Sequence, residues 1–190
     1  HLHLLGEPEE SLKNLARTVF SSFRDHCEGA DELWAFYDMR FRAPAGWPLK
    51  RHSLKAGLIR MSFGGRGRSL EFIRVSLAGT LLAAKSLAEW FGEFYGKPLK
   101  RKSFRITEQT VKGHDGLMLR GETSLFFNPL KVFGRRRVLR AACWHCEPKN
   151  RLMICALDAF GRQSELFESV LAEFDCCERS LTDVAFREKK

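Results

Sequence analysis

The 190-residue chain reads as an α+β domain: an antiparallel β-sheet flanked by helices in an α/β/α sandwich. Three observations lead there. Segments that alternate apolar and polar residues follow one another across short turn-rich stretches, as strands in consecutive hairpins do. These segments do not alternate one for one with helices, which separates them from a doubly wound parallel sheet. Three other segments, at the start, middle and end of the pattern, carry the three-and-four spacing of amphipathic helices.

At this size about 70% of the unfolded surface is buried on folding. A composition that is 44% hydrophobic and 12% aromatic supplies a core without staples. The expectation is one domain over residues 1–190, with an N-terminal helix at 8–25, a sheet-and-helix core at 34–177 and a charged tail at 178–190.

In the first helix Leu12, Leu15, Ala16, Val19, Phe20 and Phe23 share a face, with Glu9, Glu10, Lys13 and Arg17 between them. After Glu28-Gly29, residues 34–42 alternate, Tyr37, Met39 and Phe41 opposing Asp38, Arg40 and Arg42, which predicts one strand ended by Pro44-Ala45-Gly46-Trp47-Pro48. Residues 58–63 and 70–77 predict a hairpin with a glycine-rich tip. Residues 80–95 return to helical spacing through Ala83, Leu87, Trp90, Phe91 and Phe94, stopped by Gly96-Lys97-Pro98. Strands follow at 104–110, 117–123, 138–147 and 152–160, and a closing helix at 164–174 places Leu166, Phe167, Val170, Leu171 and Phe174 on one face.

The net charge of +9 favours acidic partners: an acidic protein, nucleic acid or an anionic membrane surface. Apolar runs are too short to span a bilayer, so integral membrane association is not expected. His1-Leu2-His3-Leu4-Leu5 is too short and lacks the basic start of a secretory signal. Six cysteines in a chain this rich in core residues are read as reduced thiols, with a cytoplasmic location.

Four features resemble a known family: the strand ending in Phe41-Arg42-Ala43-Pro44-Ala45-Gly46-Trp47, the central helix, the 113–121 hairpin, and the strand pair 137–146 and 151–160 leading to the helix that ends at Phe174. With them, most of 39–174 is similar to the PsbP and Mog-type family, named for an extrinsic photosystem protein and a Ran-binding protein. The resemblance implies an antiparallel sheet between helices and a non-catalytic binding or accessory module. It carries over no functional residue.

Cys143-x-x-Cys146 is the sharpest local pattern. Thiol exchange in such a motif relies on a lowered thiol pKa, commonly from a helix N-terminus. Here the motif ends a predicted strand, where alternation sends the two thiols to opposite sides. A zinc site would need Cys143, His145 and Cys146 completed by Cys176 or Cys177, should the last helix return its end to the hairpin. Adjacent cysteines rarely offer paired geometry, so free buried cysteine is the simpler reading and no cofactor is expected. His52 and His114 fall in predicted turns, and His114-Asp115-Gly116 reads as a turn with glycine at positive φ. Gly64-Gly65-Arg66-Gly67-Arg68 runs into a strand rather than a helix, which suits a hairpin tip better than a phosphate loop.

The expected function is therefore a non-enzymatic protein-interaction or accessory domain with an acidic protein partner. Its candidate contacts are Arg66, Arg68, Lys100, Arg101, Lys102, Arg135, Arg136 and Arg137. The alternatives are a basic nucleic-acid-binding domain, and a thiol- or zinc-dependent protein centred on Cys143 and Cys146.

Overall fold

The computed structural model describes residues 29–65, 67–99, 102–123, 137–160 and 165–177, together with Lys13, Ala16 and Arg17. The chain divides into two units, His1–Ala30 and Asp31–Lys190. In the first, Lys13, Ala16 and Arg17 are helical. The remainder of the helix expected at 8–25, and the tail at 178–190, lie outside the described residues.

Among the described residues the second unit has nine strands: β1 (Glu32–Phe36), β2 (Met39–Ala43), β3 (Leu49–Lys55), β4 (Leu58–Gly65), β5 (Arg68–Ser76), β6 (Lys102–Val111), β7 (His114–Thr123), β8 (Arg137–Cys146) and β9 (Arg151–Phe160). The helices are α1 (Ala78–Leu81), α2 (Leu87–Leu99) and α3 (Leu166–Ala172). Strands β3 to β9 form one seven-stranded sheet in the order β3-β4-β5-β9-β8-β7-β6, with every pair antiparallel. β1 and β2 form a separate hairpin.

Alternation along each strand divides the core between the two faces of the sheet. One face buries Ile73, Leu117, Leu119, Cys143 and Ile154 against Trp90, Phe91 and Tyr95 of α2. The other buries Met61, Phe63, Phe72, Trp144, Met153 and Cys155 against Met39 and Phe41 of β2 and Phe167, Val170 and Phe174 at α3. Phe41 stacks on Phe72 with ring centroids 3.7 Å apart, and Phe174 stands edge-on to both Phe72 (5.2 Å) and Trp144 (5.1 Å). Such aromatic pairs each add about 0.5–1.5 kcal/mol beyond area burial. The antiparallel sheet agrees with expectation, but one covering layer is only partly helical, because the β1–β2 hairpin shares it with α3.

Local chemistry explains four further departures. The single strand expected at 34–42 is two, because Tyr37 takes φ 51° and turns the chain so that Phe36 pairs with Met39. Residues 49–55, to which no strand was assigned from the sequence, are the edge strand β3, so His52 lies in a strand rather than a turn. The helix expected at 80–95 is broken after Leu81 and restarts at Leu87. At the restart Ser86 Oγ accepts from the Glu89 backbone N–H (3.2 Å), and the Glu89 carboxylate accepts from the Ser86 N–H (2.8 Å), a reciprocal capping box. Finally, the turn expected at His114-Asp115-Gly116 lies before it, at Lys112 (φ 56°) and Gly113 (φ 83°), a two-residue hairpin loop, and His114 opens the next strand.

Candidate metal centre and basic edge

β7 begins at His114 and β8 ends at Cys146, and α3 is followed by a segment that pairs back onto the β1–β2 hairpin through Asp175 and Arg40. The Arg40 N–H donates to the Asp175 carbonyl at 2.9 Å and the Asp175 N–H to the Arg40 carbonyl at 2.7 Å. The chain bends at Cys176 and Cys177, which carries both thiols toward the same end of the sheet.

Sγ of Cys146, Cys176 and Cys177 and a ring nitrogen of His114 consequently gather with all four atoms within 4.8 Å of one another. Cys146 Sγ lies 3.3 Å from Cys177 Sγ, and Cys176 Sγ lies 3.8 Å from Cys177 Sγ. His114 Nε2 is 3.4 Å from Cys176 Sγ and 3.6 Å from Cys177 Sγ. The Trp144 indole N–H donates to Cys176 Sγ at 3.2 Å. Lys112 stands beside the group, donating to the Ala172 carbonyl at 2.7 Å and facing the Asp175 carboxylate at 3.5 Å. A cleft of about 330 Å³ is lined by Lys112, His114, Asp175, Cys176 and Cys177.

Burial dominates the electrostatics of these thiols. It pushes Cys146 up to about 12, helped by the hydrogen bond with Cys177, and it raises Cys176 against the opposing donation from Trp144. Cys143 and Cys155, wholly buried in the sheet, are raised by burial as well. A nucleophilic thiol needs the opposite shift.

Of the metal candidates read from the sequence, Cys146, Cys176 and Cys177 come together and Cys143 and His145 do not. Cys143 packs on the α2 face, with His145 of the same strand parity, whereas Trp144 and Cys146 belong to the α3 face. The missing ligand is His114. Its register opposite Val111, on the same face as Trp144, brings it in, and no local motif announces it.

Of the basic candidates, Arg66, Lys100, Arg101, Arg135 and Arg136 lie outside the described residues. Lys102, Arg68 and Arg137 stand at strand ends that the register brings to one end of the sheet, opposite the thiols. Arg68 donates to the Gly46 carbonyl at 3.0 Å and covers the Trp47 ring at 4.6 Å. Arg137 donates to Asp158 at 2.7 Å. Near that end the register also aligns Arg105, Arg120 and Arg140 across β6, β7 and β8. Arg120 is 3.5 Å from Glu122, and Arg140 bonds Glu168 of α3. The Arg105 side chain has neither a hydrogen bond nor an ion pair among the described residues. Sequence reasoning missed this row, because its members are far apart in the chain and only strand pairing unites them.

No protein-family model matches the chain, and no curated protein matches it. Among solved structures it is similar to the Ran-binding protein Mog1p of Saccharomyces cerevisiae, at 10% identity over 77% of this chain and 95% of that one, with a TM-score of 0.47. It is also similar to PA94 of Pseudomonas aeruginosa, a protein of unknown function described as a putative regulator, at 14% identity over 74% of this chain and 90% of that one, with a TM-score of 0.34. The first of these is a Ran-binding Mog protein, the kind of protein for which the family resembled by the sequence is named.

Proposed function

We propose that the unit Asp31–Lys190 is a non-enzymatic protein-interaction domain that takes an extended acidic segment of a partner along edge strand β6. The observation that supports this reading is β6 itself. From Ser103 to Thr110 its side chains are exposed on both faces, Ile106 alone being half-buried, and Phe104 is 50% exposed. A ten-residue edge strand offers a row of backbone donors and acceptors to an added strand. Arg105 directly opposite Arg120 is a like-charge cross-strand pair that costs stability by itself and is relieved by an acidic neighbour. The raised thiols count against nucleophilic chemistry at the cysteines. The five described cysteines are all free, which accords with work in a reducing, cytoplasmic setting.

The test is a titration of the isotopically labelled chain with a synthetic peptide of alternating valine and glutamate, followed by amide chemical shifts. Shifts concentrated at 102–111 that vanish in the Arg105→Glu, Arg120→Glu double variant are the expected result. Absence of such shifts overturns the strand-pairing reading. A single-stranded oligonucleotide that binds instead, with affinity falling steeply with salt, would replace it with the nucleic-acid reading.

A further inference from the structure

We propose that His114, Cys146, Cys176 and Cys177 bind one zinc ion as a closed Cys3His site that fastens the segment after α3 to the ends of β7 and β8. Zinc takes thiolate sulfur at about 2.3 Å and imidazole nitrogen at about 2.0–2.1 Å, usually in a tetrahedron. Those bond lengths place two sulfurs of one tetrahedron about 3.8 Å apart, and a sulfur and a nitrogen about 3.5 Å apart. The Cys176–Cys177 separation of 3.8 Å and the His114 separations of 3.4 and 3.6 Å match these edges. The Cys146–Cys177 edge, at 3.3 Å, is shorter than that ideal but well beyond the roughly 2.05 Å of a disulfide.

Three soft sulfurs and one imidazole are the donor set of structural zinc, and four protein ligands leave no open position for a catalytic water. The surroundings suit a bound cation. The Trp144 N–H stabilises thiolate character on Cys176, and the ligands come from three separated stretches of chain, so that binding is coupled to folding. The adjacency of Cys176 and Cys177, unfavourable on a regular strand, is accommodated by the bend in which they sit.

The decisive experiment uses the full chain purified under reducing conditions without chelator. Its zinc content is measured, and the metal-free protein is then titrated with Co²⁺. The expected result is about one zinc per chain, with thiolate-to-cobalt charge transfer and the intense visible bands of tetrahedral cobalt. His114→Ala and Cys146→Ser should each lower metal affinity at least tenfold, while Cys143→Ser, altering a thiol on the other face, should leave it unchanged. Reduced wild-type protein that takes up neither zinc nor cobalt overturns the proposal, and that result does not depend on whether any variant folds. A Cys146–Cys177 disulfide in the native protein, or equal metal loss from Cys143→Ser, overturns it too.

Discussion

The indole N–H of Trp144 donates to Sγ of Cys176 at 3.2 Å, joining the middle of the sheet to the segment that follows α3. Both residues are buried, so neither group can turn to water if the other is removed. Trp144→Phe keeps most of the apolar volume that packs on Phe174 and deletes the donor. The expected cost is about 1–3 kcal/mol in urea denaturation, from the lost bond and the cavity left by the smaller ring. If zinc is bound, its affinity should fall about 10–100-fold, as for loss of an outer-shell partner. Unchanged stability and affinity would show the contact to be incidental.

Asp38, at the tip of the β1–β2 hairpin, receives the guanidinium of Arg74 from β5, and Arg151 of β9 approaches it at 3.4 Å. The side chains of Arg74 and Asp38 are only 10% and 16% exposed. Asp38→Ala strands a buried charge and should cost about 3–5 kcal/mol. Asp38→Ala with Arg74→Met should recover much of that loss. A double variant as unstable as the single one would show that the hairpin needs the pair for more than charge balance. Urea midpoints of the wild type and the two variants decide.

How much of this was legible beforehand depended on the range of the interaction concerned. Trp90 and Phe91 on one helix face, and the hairpin of the last two strands, were readable because periodicity and turn residues are local signals. Tyr37 misled: in a strand pattern an aromatic residue argues for continuation, yet it takes a left-handed conformation and is 89% exposed. The metal cluster was half legible. Cys176 and Cys177 stood out, but His114 is recruited through strand register, a long-range property that composition and spacing do not carry.

Ser86-Leu87-Ala88-Glu89 shows a local signal that was present and overlooked. The Ser86 N–H and hydroxyl both bond the Glu89 carboxylate, which holds that carboxyl below its ordinary range. Ser86→Ala removes the acceptor for the Glu89 N–H and should destabilise the domain by about 1 kcal/mol. Ser86→Asp, which retains an N-cap acceptor, should restore most of the loss in thermal denaturation. An alanine variant with an unaltered melting temperature would mean that α2 is held by its apolar face alone.

Gly116 of β7 lies opposite Trp144 of β8. A methyl group there would meet the Cys143 carbonyl at 2.8 Å, Val111 Cγ2 at 2.9 Å and Trp144 Cβ at 3.0 Å. The carbonyl belongs to a strand paired on both sides, so it cannot move aside without disturbing β9 as well. Gly116→Ala is therefore expected to cost about 1–3 kcal/mol by overpacking. Gly113→Asn, in the preceding turn, keeps a residue that tolerates positive φ and should cost less. Equal tolerance of both changes would contradict this packing.

Alkaline conditions should destabilise the domain in two stages. Burial raises the Cys143 and Cys155 thiols above their ordinary value of 9.0, and burial, then the charge and hydrogen bond of Glu71, raise Tyr95 well above 10.0. In each case the folded chain keeps a proton that the unfolded chain releases, so the unfolded state binds fewer protons and stability falls as pH rises. The full contribution of each group is present below its unfolded pKa. Each is lost at about 1.4 kcal/mol per pH unit above that value. The slope should therefore steepen near pH 9 with the thiols and again near pH 10 with Tyr95. Tyr95→Phe deletes the phenol that donates to Glu71 at 3.0 Å and should abolish only the second steepening. Urea denaturation from pH 7 to 11 checks this, and wild-type and Tyr95→Phe profiles that stay parallel above pH 10 would mean that Tyr95 titrates normally in the folded chain.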